Sequence, residues 1–322
     1  MSNTTRTEIP AELQNVYDKN LLLRVVPNFV HNRWAQTRDI QSNGGTDTVK
    51  FRRYSNLSAA TTALTEGITP AGSSLARTDI TVTTNYYGDF VTITDKLQYE
   101  SADQILLDAG QVLGDQASDT LDQITRDVIV AGTNVIYGGS ATSRATVANT
   151  DLITAVMINK AVRTLDGNNS KRVTEMIDPS TGISTKPVNR SYIGIVHPMT
   201  EYTLKGLTGF IPVEQYSAKM DMMDGEVGTL GDVRFIRTTN AKIFTAAGAA
   251  GIDVYATLIF GMDAYGVTRL AGKALQNIIK PLGSAGTSDP LDQRATSGWK
   301  ANFAAKILND NFLVRLEHAV AA

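Results

Sequence analysis

The side chains best suited to proton transfer or metal binding are the three histidines, His31, His197 and His318. They lie far apart in the sequence, and none belongs to a metal-binding spacing such as HExxH. His197 stands between Val196 and Pro198 at the end of a strand-like run, without a nucleophile motif nearby. We therefore interpret all three histidines as structural. The chain has no cysteine, which excludes disulfide bonds and thiolate metal sites.

The nearest approach to a phosphate-binding loop is the stretch from Gly266 to Ala274. Five residues rather than four separate its glycines, and Ala274 stands where a magnesium-binding Ser or Thr would be needed. Aspartates are frequent between residues 100 and 131, but a one-sided acidic stripe is usually a solvated face and not an acid/base pair. The sequence predicts no active site, no cofactor and no metal ion.

The elements around these residues are organised by one long helix, predicted over residues 101–131. Apolar side chains recur there at steps of three and four residues, as they do along one face of a helix. These residues are Ile105, Ala109, Val112, Leu113, Ala117, Leu121, Ile124, Val128 and Ala131. Ser101 with Gln104 fits a capping box, and Gly132 stands where the helix would stop. A helix of this length, roughly 45 Å, is typical of a strut.

Two alternating segments before this helix predict a long hairpin, with legs at residues 46–55 and 79–95. In the second leg the apolar residues change from even to odd positions across Gly88, which predicts a bulge or a bend there. The 23 residues between the legs contain only four large apolar side chains, Leu57, Leu64, Ile68 and Leu75. Such a connection is either disordered or a protruding arm ordered by another chain.

The N-terminal segment is unusually apolar for a chain end. We predict a helix from Pro10 to Val26, and Leu21, Phe29 and Trp34 are among the side chains that would be costly to leave in water. The arm packs either on the core of its own subunit or on a neighbouring subunit, and the sequence leaves both alternatives open.

The rest of the chain mixes helices and strands, so the fold class is α+β. A second long helix is predicted from Asp151 to Leu165, a buried strand at SYIGIVHP, and a short helix after Pro198. Alternation from Trp299 to Ile307, followed by LNDN and FLVRLEHA, predicts a terminal hairpin. A net charge of −2 gives no general attraction to nucleic acid or membrane. Neither a signal peptide nor a membrane-spanning run is recognised, so we expect a soluble protein that is not exported by that route.

Several motifs in this order resemble tailed-bacteriophage major capsid proteins. They are FRRYSNL, TALTEGITPAG, YYGDFVTITD, YIGIVHPMTEYTLKG, GEVGTLGDVRFIRT and GWKANFAAKILNDNFLVRLEHA, which together cover most of the chain from about residue 34. The resemblance implies a Hong Kong 97-like capsid fold. It assigns residues 1–42 to an N-terminal arm, 43–95 to an extended loop, 96–150 with 270–322 to a peripheral domain containing the spine helix, and 151–269 to an axial domain.

By the same resemblance, the chain is expected to assemble into hexamers and pentamers that form an icosahedral head around double-stranded DNA. We expect this in a virion assembled in the bacterial cytoplasm, with a portal and a separate scaffolding protein as partners. A decoration protein is compatible with this reading, DNA contact is expected to be weak and non-specific, and no membrane is involved. An encapsulin shell around a cargo enzyme is the alternative within the fold. A glycan-binding or hydrolysing β-rich protein is the alternative from another class.

The expected inter-subunit contacts lie in the arm, the extended loop and its first leg. Glu66 and Gly67 are predicted at the loop tip between Leu64 and Ile68, with Glu66 paired to a basic residue of a neighbour. Arg52 and Arg53 are candidate partners in that interface. No lysine occurs between Lys50 and Lys96, so we predict no isopeptide crosslink from this loop.

The acidic stripe of the long helix has two interpretations. Asp115, Asp119 and Asp122 would face the interior of the shell, where like charge prevents DNA from adhering to the wall. Alternatively, they pair with arm residues such as Arg24 or Arg33.

Overall fold

The computed structural model describes residues 29–40, 47–54, 57–100, 105–177, 185–216, 222–269, 275–284 and 289–321. The helices in this part of the chain are α1 (Asp95–Glu100), α2 (Ile105–Val130), α3 (Ala155–Gly167) and α4 (Pro198–Lys205). The strands of the first half are β1 (Gln36–Arg38), β2 (Thr48–Tyr54), β3 (Arg77–Thr83), β4 (Asn85–Thr94), β5 (Val135–Tyr137), β6 (Val173–Ile177), β7 (Thr185–Val196) and β8 (Phe210–Pro212). Those that follow are β9 (Glu226–Leu230), β10 (Val233–Arg237), β11 (Ile243–Phe244), β12 (Val254–Phe260), β13 (Tyr265–Thr268), β14 (Leu275–Lys280), β15 (Arg294–Phe303), β16 (Ala305–Ile307) and β17 (Leu313–His318).

A nine-stranded mixed sheet forms the centre of the molecule. Its main path runs β5-β17-β12-β7-β10-β9-β8, with β11 added to β12 and β6 to β7. Both faces of its middle strands are buried: Ile193 and Ile195 pack toward α2, whereas Tyr192 packs toward α3. Burial on both faces explains why these strands are continuous apolar runs in the sequence.

The spine helix is α2, and its 26 residues give a length of about 39 Å. Leu113, Ala117 and Leu121 form the buried stripe that the sequence pattern predicted. Val112 was also placed on that stripe, which is wrong: its side chain is 67% exposed, because the sheets cover only a narrow face of this part of the helix. Residues 101–104, with the expected capping box, lie outside the described residues.

The predicted hairpin divides between two sheets. Strand β2 pairs with β3 from Thr48 opposite Thr83 to Tyr54 opposite Arg77. After Thr84 the chain leaves this hairpin, and β4 joins the three-stranded sheet β14-β15-β4. The bulge expected at Gly88 is absent, since the pairing of β4 with β15 runs without a shift from Asn85 to Thr94. The change of parity in the sequence reflects the change of sheet at Thr84.

The predicted terminal hairpin is also wrong. Strands β15 and β17 belong to different sheets, with β15 between β14 and β4, and β17 between β5 and β12. The short strand β16 pairs with β13, so the alternating segment is shared between two sheets. Local alternation identified the strands, but their partners are remote in sequence.

Candidate inter-subunit surfaces

Within the extended loop, residues 57–76 between β2 and β3 form neither helix nor strand, and their side chains are all exposed. Leu64 and Ile68 are 77% and 67% exposed, far more than large aliphatic side chains usually are. The Ile68 amide donates to the Thr65 carbonyl at 3.2 Å, which closes a turn around Glu66 and Gly67. Gly67 has φ +77°, the left-handed value that favours glycine at the third position of a turn. The structure therefore presents Leu64, Glu66 and Ile68 together at a projecting turn.

The base of the hairpin is anchored by Phe51. Its ring is buried with Val49, Val82 and Leu308 against the segment around β16. A Cβ atom on Gly266 of β13 would lie 2.5 Å from the ring, so only glycine leaves space for Phe51 there. The position of the whole hairpin depends on this contact.

A cleft of about 420 Å³, the β2 cleft, lies beside the hairpin base. Four consecutive residues of β2 line one wall, Phe51, Arg52, Arg53 and Tyr54. The facing wall comes from three chain segments and contains Asn168, Asn169, Lys171, Met262, Asp263, Asn309 and Asn311. The cleft is polar and has three cations for one carboxylate.

Among the described residues, the two arginines of the β2 cleft have only weak partners. Arg53 Nη1 donates to the Leu308 carbonyl at 3.4 Å, and Arg52 Nε lies 4.0 Å from Asp79 Oδ1. Burial raises the pKa of Asp263, and the nearby charge of Lys171 only partly opposes this. A ligand with further negative charge would therefore complement the cleft.

A second, larger depression of about 1000 Å³, the sheet groove, lies over the outer face of the three-stranded sheet. Its apolar lining residues include Tyr86, Phe90 and Ile278, and its cations are Lys280, Arg294 and Lys300. The Phe90 side chain is 66% exposed, and Lys300 Nζ lies 4.4 Å from the centre of the Tyr86 ring. Aromatic rings exposed beside cations are common in the centres of protein interfaces.

The junction between the arm and the spine helix is a buried polar network around Asp122. Its carboxylate accepts from the backbone amides of Val30 and His31, and contacts His31 Nδ1 at 2.8 Å. Burial alone would raise the pKa of Asp122, but the charge and hydrogen bonds of His31 with the two amides outweigh it and hold this pKa below its ordinary value. Tyr265 donates its hydroxyl hydrogen to the carbonyl oxygen of His31.

This network shows that the prediction for the acidic stripe is wrong at Asp122. Asp122 is 1% exposed and cannot face the interior of a shell, because its charge is used to hold the arm. Asp115 and Asp119 are exposed. Arg33, an alternative partner for the stripe, binds Asp224 at 2.9 Å instead, and Arg24 lies outside the described residues.

The arm residues proposed as inter-subunit contacts also need correction. Phe29 and Trp34 are buried in the core of their own subunit, together with Phe260 and Tyr265. They are therefore not available to a neighbour. Leu21 and the predicted helix from Pro10 to Val26 lie outside the described residues.

The end of the spine helix is fixed to the central sheet by a buried ionic cluster. Glu317, fully buried in β17, accepts two hydrogen bonds from Arg144 and one from Arg315 Nε at 2.7 Å. Arg315 Nη1 donates to the carbonyls of Val130 and Gly132, where the helix ends. A cation at this end also opposes the negative pole of the helix dipole.

The remaining histidines make local structural contacts. His197 Nδ1 accepts from the Met199 amide and so caps α4, while burial lowers the pKa of His197. Burial lowers the pKa of His318 to about 4, and its ring bonds the Thr257 hydroxyl and the Ala319 carbonyl. In the described ranges, no group of three or more His, Asp or Glu side chains could hold a metal ion. No helix in those ranges is long and apolar enough to cross a membrane.

Sequence reasoning missed the sheet groove and the partner of Asp122. Tyr86 and Phe90 were part of an alternating strand, and alternation alone does not show which face is buried. The available signal was that β4 places aromatic rings and Gly88 at even positions, whereas its buried residue is Ile93 at an odd position. For the Asp122 contact with His31, separated by 91 residues, the sequence contains no comparable signal.

The arrangement of spine helix, extended hairpin and central sheet is similar to that of solved phage capsid structures. The capsid of Ralstonia phage GP4 superposes with a TM-score of 0.71 at 16% identity, covering 90% of this chain and 88% of that one. The head of Helicobacter pylori bacteriophage KHP40 gives 0.62 at 14% identity, with coverage of 90% and 88%. The capsid of cyanophage Pam1 gives 0.59 at 16% identity, with coverage of 93% and 92%.

No protein-family model matches the sequence, and no curated protein matches it. The structural matches confirm the predicted α+β, Hong Kong 97-like capsid fold. At 14–16% identity, these matches show similarity in the path of the backbone.

Proposed function

We propose that this chain is the major capsid protein of a tailed bacteriophage, which assembles through hexamers and pentamers into an icosahedral shell around double-stranded DNA. The fold supports this role, since the matched structures are capsids and heads of phages. The single observation that carries it for this chain is the segment 57–76 of the extended loop, whose apolar side chains are exposed and have no cover among the described residues. Loops that long in compact domains usually serve a function.

The loop becomes stable when a neighbouring subunit covers it. Burying each of Leu64 and Ile68 contributes roughly 1.5–3 kcal/mol. A shell repeats this contact in every subunit, so modest contacts add to a stable particle. The role proposed for residues 43–95 is therefore to join subunits. We propose the same division for the rest of the chain as the resemblance implies: an arm at residues 1–42, a peripheral domain at 96–150 with 270–322, and an axial domain at 151–269.

We place the loop of one subunit on the sheet groove of its neighbour. The groove offers Tyr86, Phe90 and Ile278 to the aliphatic side chains of the loop. Lys280, Arg294 and Lys300 outnumber Asp89 in its lining, and Arg294 also lies 3.6 Å from Asp289, so the remaining positive charge suits the single carboxylate of Glu66, the only charged residue between residues 57 and 76. This assignment leaves Arg52 and Arg53 free for another partner.

The exposed aspartates of the spine helix keep their proposed position inside the shell. Asp115 and Asp119 would then limit adhesion of DNA to the wall. Weak, non-specific DNA contact, a portal, a separate scaffolding protein and assembly in the host cytoplasm belong to the same proposal.

The direct test is electron microscopy and sedimentation of the purified protein. We expect rings or closed shells from the natural chain, and particles that contain double-stranded DNA when isolated from infected cells. Particles filled with a protein cargo would favour the encapsulin alternative. Monodisperse monomers at all concentrations would contradict a shell of either kind.

Paired substitutions in the loop test the proposed contact. Leu64→Asp with Ile68→Asp should abolish assembly and leave the circular dichroism spectrum and Tm of the subunit unchanged, because these side chains are 77% and 67% exposed in the subunit. Leu64→Met with Ile68→Val is the matched control and should assemble. Normal assembly of the aspartate variant would exclude the loop from the interface.

A further inference from the structure

The β2 cleft differs from an ordinary surface depression in how β2 contributes to it. Phe51, Arg52, Arg53 and Tyr54 all line the cleft, although successive side chains of a strand point to opposite faces. From β3 only Ile80 takes part. Four consecutive residues can border one cavity when the cavity lies along the edge of the strand and not over a face. The cleft is therefore a slot beside the edge of β2.

That edge has backbone groups to offer. In the described part of the chain, β2 pairs only with β3, so its opposite edge carries no partner strand. In an antiparallel pair, alternate residues direct both their N–H and C=O away from the partner. Two of the four residues that line the slot therefore present a donor and an acceptor to it. An unpaired edge of this kind accepts an extended peptide as an additional strand.

The side chains around the slot define the chemistry of that peptide. Arg52 and Arg53 lie on opposite faces of β2, and Lys171 stands on the facing wall. An added strand would place its own side chains on both faces, so adjacent residues of one peptide could meet both arginines. Asn168, Asn169 and Asn311 on the facing wall also suit a peptide backbone or carboxylate.

We propose that the β2 cleft binds an extended acidic segment of a separate protein by strand addition to β2, with adjacent carboxylates of that segment bound by Arg52 and Arg53. The volume of about 420 Å³ fits roughly three residues of such a segment. The extended loop of a second copy matches less well, because it carries the single carboxylate of Glu66 for three cations.

Binding is tested with the full chain and labelled nine-residue peptides, followed by fluorescence anisotropy. The probe is a threonine peptide with a central Glu-Glu pair, and its control has Gln-Gln there. We expect the control to bind at least about tenfold more weakly, since a charge-assisted pair contributes about that factor. Equal binding of the two peptides, or no binding of the acidic one at millimolar concentration, would overturn the proposal.

N-methylation separates strand addition from simple charge attraction. Two forms of the acidic peptide are made, with methyl groups on alternate amides in one phase or the other. Strand addition requires that one phase abolishes binding and the other preserves it, because only one set of amides faces β2. Equal affinity of both forms for the protein would exclude strand addition.

Variants of the protein place the site. Arg53→Glu and, from the facing wall, Lys171→Glu should each weaken binding at least about tenfold. Lys50→Glu, on the same strand but outside the cleft, is the matched control and should change affinity less than about twofold.

Assembled shells distinguish the source of the segment. If assembled shells bind the peptide with the same affinity as free subunits, the cleft is open in the shell, which supports a separate partner. Shells whose cleft is closed to the peptide, in contrast to free subunits, would show that a neighbouring copy occupies it and would overturn the proposal. That result would leave the proposed capsid function intact.

Discussion

The central sheet and the extended hairpin differ in where their side chains find partners. In the sheet even a charged group such as Glu317 is fully buried, and its carboxylate accepts hydrogen bonds from Arg144 and Arg315 of the same chain. In the hairpin only the base around Phe51 is buried, and the side chains of residues 57–76 beyond it are all exposed. The central sheet therefore determines the stability of the subunit, whereas the hairpin, under the proposed function, would contribute to the contacts between subunits.

The largest effect expected from this comparison is at Glu317. Glu317→Ala leaves the buried Arg315 without its carboxylate and removes both hydrogen bonds of the partly exposed Arg144, so the free energy of unfolding should fall by about 3–5 kcal/mol. Denaturant titration of the subunit measures the loss. Glu214→Ala, at an exposed carboxylate, is the control and should change stability by less than about 0.5 kcal/mol. A loss of less than about 1 kcal/mol at Glu317 would contradict the view that the buried groups of the central sheet determine the stability of the subunit.

A pH effect should come next, from His318. Its pKa is about 4 in the folded chain against 6.5 unfolded, so the unfolded state binds the proton first as the pH falls. The free energy of unfolding is therefore full above pH 6.5 and decreases toward pH 4, by roughly 2–3 kcal/mol at pH 4.5. Urea titrations at pH 7 and 4.5 should show this loss in the natural chain and a smaller one in His318→Gln. Identical pH dependence of the two proteins would exclude His318 as the cause.

A smaller effect is expected where the two regions meet. Gly266→Ala brings a methyl group against the Phe51 ring, which should cost about 1–3 kcal/mol and loosen the hairpin. Faster proteolysis within residues 77–83 would report the loosening. Phe51→Leu in the same background removes part of the ring and should restore resistance to the protease. Proteolysis unchanged by Gly266→Ala would show that this contact does not hold the hairpin.

The smallest effect has the opposite sign. Gly110 lies inside the spine helix, and a Cβ atom there would meet nothing within 4 Å. Gly110→Ala should therefore raise the free energy of unfolding by up to about 1 kcal/mol through helix propensity. Thermal unfolding measures the change, with Gly114 left untouched because it is buried. A loss of stability would contradict the open space that the structure shows around Gly110.

Local patterns in the sequence were enough to predict the elements that depend on near neighbours. The period of the spine helix, the two strands of the hairpin and the turn at Gly67 follow from residue types within a few positions. The motif resemblance added the fold class, which the structural matches confirm. Both succeed because the relevant interactions are short in sequence or recur as motifs.

Remote pairings could not be predicted in the same way. Asp122 has the spacing of a solvated aspartate, yet it is buried because His31, 91 residues earlier, packs against it. The strand from Trp299 onward shows where side chains alternate but not which sheet the strand joins. Surfaces such as the sheet groove combine residues from three strands, and no single stretch of sequence contains them.

The clamp of Arg315 on the last carbonyls of the spine helix gives the subunit a mechanical asymmetry. The C-terminal end of this helix, which is about 39 Å long, is bound to the central sheet through Arg315. Its N-terminal half packs on the other elements of the subunit through a narrow apolar stripe. Because Arg315 fixes the C-terminal end, we expect a sideways load on the N-terminal half to bend the helix more than it changes the angle at that fixed end. Internal pressure on a shell of these subunits would accordingly be absorbed as flexing of these helices, without any change in the sheets that hold them.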